Sequence, residues 1–232
     1  MSGSRMTSLV FWAVIAVLAG CSRRADVVAA SQPEEIKAVP ATPIAEKKAD
    51  LGTQTWNSDW DRFVEQALSP EMLSPRVARD VRPFCPRFNA MSDGNKRAFW
   101  AYFFQALAGA EAGLVATADV RHADRQVPVT DTVTKRMVRS EGLLQLTYMD
   151  AQRYGCDFDW DKDKRLPERD PTKTILQPEN NLACGVKILD NQLIAQRKPL
   201  LSQSGYWSTL RPGGRSYRVF AKQMTNVPAV CR

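Results

Sequence analysis

Residues 92–113, "SDGNKRAFWAYFFQALAGAEAG", constrain the fold more than any other stretch. Ala98, Phe99, Tyr102, Phe103, Ala106, Leu107 and Ala110 recur at helical spacing and leave hardly any polar face. Such a helix is buried nearly all round, so other elements must form a shell about it. Ser92 or Asp93 can cap its start, and Gly113 can end it. The shell is legible in outline. "WNSDWDRFVEQAL" places Trp56, Trp60, Phe63, Val64 and Leu68 at helical spacing, with Ser58 or Asp59 as the cap. "EGLLQLTYMDAQRYG" and "NNLACGVKILDNQLIAQR" have helical character, the second with Leu182, Val186, Leu189 and Leu193 on one face. "GYWSTLR" and "SYRVFAKQMTNV" add shorter helices. Strand signals are scarce. Residues 114–138 are polar and form an extended loop or a short β-hairpin, since "QVPVTDTVTKRMV" partly alternates. The expected fold is mainly α.

One carboxylate, Glu111, stands at the end of the central apolar helix. The backbone dipole at a helix carboxy end disfavours negative charge. Ala, Gly and Leu flank it, so desolvation acts in the same direction. Both effects hold a proton on the carboxyl and make Glu111 a candidate general acid. The alternative is a solvated glutamate at a helix end.

The start of the chain sets the compartment. "LVFWAVIAVLAG", residues 9–20, is a continuous run of twelve residues, too short for the roughly 20 that span a bilayer. It follows Arg5 and fits a signal-peptide core over residues 1–20. Its ending, "VLAGC", resembles the lipobox of bacterial lipoproteins, which implies that Cys21 is lipidated and becomes the mature amino terminus. That places the protein in the periplasm, anchored to the outer membrane. Residues 22–55 hold Pro33, Pro40 and Pro43 with many alanines and little to build a core from. They form a linker with an end-to-end distance of about 30–35 Å if flexible, and the globular domain is residues 56–232. Residues 1–55 hold six of the 32 basic and five of the 25 acidic groups, so the domain carries about +6. A basic surface favours polyanions; on the export side those are cell-wall polymers rather than nucleic acid.

Cys85, Cys156, Cys184 and Cys231 remain, an even number in an oxidising compartment. Of three possible pairings, Cys156–Cys184 and Cys85–Cys231 are favoured. The first closes a polar loop between helical stretches, and the second ties domain ends that often lie close. No cysteines cluster, and His122 has no cysteine beside it, so neither a metal nor another cofactor is expected.

Three pieces then stand in order. "AGAEAGL" resembles the catalytic helix of the lytic transglycosylases of the lysozyme-like superfamily, which typically ends in alanine, glutamate and serine. "SEGLLQLTYMDAQRYG" resembles their glycine–leucine–methionine–glutamine segment, and "NNLACGVKIL" their later asparagine-to-glycine helix. Two features depart: Ala112 replaces the serine, and the late tyrosine–asparagine–any–glycine run has only "GYWSTLRPGG" as a counterpart, with Tyr206 as its tyrosine. The resemblance implies a lysozyme-like single catalytic domain that cuts β-1,4 bonds in peptidoglycan glycan strands, with Glu111 as the acid. It implies substrate contact at Gln145. Tyr148, Tyr206 and Trp207 are candidates for stacking on sugars, or core aromatics.

Glu141 is a second candidate catalytic carboxylate. Two carboxyl groups divide acid and base or nucleophile roles in hydrolysis, whereas one-carboxylate members of the family form a 1,6-anhydro end. Glu141 could instead pair with the amine of a de-N-acetylated glucosamine, or be a glutamate at a helix start. A non-catalytic glycan-binding lipoprotein, or an envelope inhibitor, is the rival from another class. "DFDWDKDKRLPE" spaces acids like a calcium loop, but Lys162 stands where the turn wants glycine; a solvated loop anchored by a disulfide is expected. "RPGGR", residues 211–215, is a glycine turn without the context of a phosphate loop.

Overall fold

The computed structural model describes residues 55–121 and 129–232, which lie in one compact unit. The signal-like run, the lipobox Cys21, the linker and His122 lie outside the described residues. The described part is mainly helical. Helix α1 spans Ser58–Ala67, α2 Pro75–Val81, α3 Asp93–Ala112, α4 Met149–Tyr154, α5 Trp160–Asp163, α6 Pro178–Asp190 and α7 Arg215–Met224. Strands β1 (Asp119–Arg121) and β2 (Arg139–Glu141) pair antiparallel, with Asp119 opposite Glu141. A further bridge joins Thr130 to Met137, so the polar segment after α3 adopts the hairpin of the two expected forms.

Helix α3 is the axis. Ser92 caps it, its hydroxyl accepting from the Asn95 amide, and Gly113 closes it in the left-handed conformation (φ 59°). The Gly113 and Leu114 amides return to the Gly109 and Ala108 carbonyls, which satisfies the last turn. Phe99, Trp100, Phe103, Phe104 and Leu107 are wholly buried. Phe99, Trp100 and Phe103 meet edge-to-face or tilted, and Phe103 meets Phe220 of α7 at 5.2 Å. Edge-to-face geometry places ring hydrogens on ring faces and adds to the apolar burial. The Trp100 indole N–H donates to the Met72 carbonyl at 2.9 Å, so the cluster leaves no orphan donor there. Helices α1 and α7 pack on α3, and α1 also packs on α6.

Two disulfides close the unit, Cys85–Cys231 and Cys156–Cys184, the expected pairings. Three expectations on local structure are corrected. The cap of α1 is Asn57, whose side chain accepts from the Asp59 amide, rather than Ser58 or Asp59. Residues 141–148 are not helical. Glu141 and Leu146 exchange both backbone hydrogen bonds around a tight loop, with Gly142 (φ 77°) and Gln145 (φ 53°) in the left-handed region, and the helix begins only at Met149. The acidic stretch from Asp157 to Glu168 is anchored by the Cys156–Cys184 disulfide and largely exposed, as expected, but it is not all loop: Asp159 caps the short α5, and Asp163 is buried at 1 % exposure. Its acids take separate partners, Asp157 with Lys187 and Asp161 with Lys164. Among the described residues no three metal-ligating side chains converge, and no helix is long and apolar enough to cross a membrane.

Candidate active site

Glu111 lies in the last turn of α3, two residues before the glycine that ends it. Its Oε1 is buried and has no hydrogen-bond partner among the described residues. Burial pushes its pKa above the ordinary carboxylate range, and the nearby Thr209 side chain offsets only part of this. Thr209 is itself buried, in a single turn of 3₁₀ helix at Ser208–Leu210. Glu111 is therefore a carboxyl whose pKa is raised by burial, with one buried oxygen left without a hydrogen-bond partner among the described residues.

The 141–146 loop is held from α6. Asn181, fully buried, accepts from the Leu144 amide at 2.9 Å and donates to the carbonyls of Glu141 and Ile175 at 3.2 and 2.9 Å. One side chain thus satisfies the Leu144 amide and ties the Glu141 carbonyl of the loop to the Ile175 carbonyl of a neighbouring 3₁₀ turn. Gly185, one turn along α6, lets Leu144 sit against the helix: a Cβ there would lie 2.2 Å from Leu144 Cδ1. The Trp207 indole N–H donates to the Leu144 carbonyl at 2.9 Å, tying the 3₁₀ segment that carries Thr209 to the same loop. Asn181 and Gly185 are the asparagine and glycine of the "NNLACG" motif, and their task is to clamp this loop.

The other expected site residues are placed as follows. Gln145 is half-buried and donates to the Gly142 carbonyl at 2.9 Å within its own turn. Tyr148 is buried; its hydroxyl donates to Asp163 at 2.8 Å and its ring meets Trp160 edge-on at 5.0 Å. The Tyr206 hydroxyl donates to Asp150 at 2.6 Å, and its ring packs on Trp207 at 4.8 Å. Burial beside these carboxylates raises the pKa of both tyrosines. Trp207 is a core aromatic at 3 % exposure, while Tyr206 keeps partial exposure beside Arg153 and Lys198.

Glu141 departs most from expectation. It is 2 % exposed and forms a buried ion pair with Lys173, whose ammonium also donates to the Glu168 carbonyl at 3.3 Å. Burial raises its pKa and the lysine pulls it back. A carboxylate so engaged is a poor nucleophile or base, and the amine it meets belongs to its own chain. Glu141 and Tyr148 line a cavity of about 380 Å³ together with Asp163, Trp160, Arg136 and Lys173; Glu111 is not part of that lining. Sequence reasoning missed Thr209, Lys173 and Asp163. Thr209 sits in the quoted "GYWSTLR" stretch, but Lys173 meets Glu141 across a separation of 32 residues, and no local pattern marks that pair.

No protein-family model matches the chain, and no curated protein matches it. Among solved structures, the wild-type form of a protein named Bd0314 DslA matches with a TM-score of 0.57 at 25 % identity, over 80 % of this chain and 94 % of that one. Two variants of the same protein, each with a glutamine in place of a glutamate, match at 24 % identity with TM-scores of 0.57. They cover 81 % and 80 % of this chain and 95 % and 94 % of theirs. In its backbone arrangement the chain is similar to Bd0314 DslA over nearly the whole of that protein.

Proposed function

We propose that this protein is an exported, lipid-anchored enzyme of lysozyme-like fold that cleaves the β-1,4-glycosidic bonds of peptidoglycan strands, with Glu111 as the acid. One observation carries the reading: a carboxyl at the end of a buried helix, pKa raised, with one buried oxygen unpartnered. A structural glutamate there would gain nothing from the arrangement and would cost stability. Two of the similar solved structures carry a glutamate-to-glutamine change, which removes a carboxyl's proton chemistry while keeping its shape.

In the reaction, Glu111 gives its proton to the bridging glycosidic oxygen as the sugar C1–O bond breaks. The resulting carboxylate then takes a proton from the hydroxyl that attacks C1. That hydroxyl belongs to water in a hydrolase, or to the muramyl 6-position in a transglycosylase. The Lys173 pairing of Glu141 favours a scheme with a single acting carboxylate. Product mass spectrometry on purified peptidoglycan, native and de-N-acetylated, tests the reading. The full chain is expected to release muropeptides and Glu111→Gln to lose at least 100-fold in rate. Products lighter by one water would identify transglycosylation; reducing ends would identify hydrolysis. Glycan binding with no cleavage by the wild type would replace the enzyme with a wall-binding lipoprotein.

A further inference from the structure

The cavity beneath the β-hairpin has a chemistry of its own. Its floor holds three buried carboxyl groups, Asp131, Glu141 and Asp163, against one buried ammonium, Lys173. Asp131 is used internally, its Oδ1 accepting the Val133 and Thr134 amides at 2.8 and 2.9 Å. Glu141 is taken by Lys173. Asp163 is only half satisfied. Its Oδ2 accepts from the Tyr148 hydroxyl, the Thr174 amide and the Thr174 hydroxyl, at 2.8, 2.8 and 2.5 Å. Its Oδ1 is buried with no partner among the described residues. Asp163 lines the cavity and is 1 % exposed as a residue, and a buried carboxylate oxygen without a donor is costly.

The rest of the lining is mainly basic, with Arg136, Arg139 and Lys164, and its one further carboxylate, Glu168, pairs with Arg139. Arg136 is exposed, with its guanidinium stacked on the Trp160 ring at 4.9 Å and no carboxylate partner among the described residues. Leu166 and Met137 add apolar lining. A ligand that suits this lining carries a cation at its buried end, an anion within a few bonds, and a short aliphatic body.

The geometry points to a binding site for the zwitterionic α-amino-acid head of a peptide, its ammonium donating to Asp163 and its carboxylate meeting Arg136. On the wall-cleaving reading, from which this inference takes its ligand source, that head is the free end of a diamino acid in a peptide stem. At about 380 Å³ the cavity is at the small end of ligand pockets and accommodates an amino-acid head rather than a glycan chain.

Calorimetric titration of the full chain with 2,6-diaminopimelate, and with a stem tripeptide ending in it, tests the site. Both are expected to bind, and acetylating the free amine or amidating the free carboxylate should weaken binding at least 10-fold. Asp163→Asn should do the same. Because Asp163 also anchors Tyr148 and Thr174, Arg136→Ala provides a second variant at an exposed residue, with an expected loss of at least 10-fold and no change in cleavage of peptide-stripped glycan. No binding by the wild type, or equal binding by Arg136→Ala, overturns the site. Binding of the free amino acid without the tripeptide overturns the wall source. Diaminopimelate binding that persists in a protein unable to cut any glycan would leave this site standing and remove the proposed enzyme, so the two failures are distinguishable.

Discussion

At Glu111 stability and activity oppose each other. A carboxyl whose folded pKa is raised supports the fold fully below its unfolded pKa and loses that support as pH rises through the folded value. The native state at neutral pH therefore carries a penalty that glutamine would not. Glu111→Gln is expected to raise the melting temperature at pH 7, by an amount set by about 1 kcal/mol of relieved polar burial. The gain should vanish near pH 4; a difference independent of pH would mean the carboxyl is solvated. The same shift bears on the proposed activity. If Glu111 acts as the acid in glycan cleavage, the rate should fall as pH rises through a value above the ordinary carboxylate range. The Glu141–Lys173 pair differs, since both members are buried and each neutralises the other. Lys173→Met should cost about 3–5 kcal/mol by leaving a charge unpaired. Adding Glu141→Gln should restore most of it, as read from urea unfolding of the full double-mutant cycle.

At the scale of elements, α6 and the 141–146 loop behave as one unit. Gly185→Ala would drive a methyl into Leu144 Cδ1 at 2.2 Å and toward Phe104 Cε1 at 3.2 Å. Leu144 has little room to retreat, because its side chain is fully buried and its backbone is held by the Trp207 and Asn181 hydrogen bonds. A loss of about 1–3 kcal/mol is expected in denaturant unfolding, and cleavage should fall with it because the loop also holds the segment carrying Thr209. What sequence revealed and what it hid divides along these lines. The course of α3 and both of its ends were legible, because caps and periodicity are local. The 141–148 segment looked helical from its leucines, since nothing nearby announces an asparagine some forty residues on that holds the loop. Gln145 illustrates the limit: a glutamine at positive φ is stabilised by tertiary clamping that no propensity encodes. Glu111 stood out by its apolar setting. Thr209 and the Asp163 cavity are long-range products of packing and left no such mark.

At the scale of the whole molecule, the two disulfides hold the described unit closed. The Cys85–Cys231 bond spans 146 residues, nearly the whole described unit, so its loss releases a large denatured-state entropy. Replacing both cysteines by serine should cost about 2–5 kcal/mol, measured as a lower urea midpoint; an unchanged midpoint would show that the core alone fixes the ends. The bond is reinforced by backbone, since the Arg87 amide donates to the Cys231 carbonyl at 3.2 Å and the Arg87 guanidinium to the Arg232 carbonyl at 3.2 Å.

The Cys85–Cys231 bond closes residues 85–231 into a covalent ring. A protease that nicks the ring once leaves both pieces covalently joined. The cut protein would keep its full mass on a denaturing gel until a reductant is added, and only then split in two.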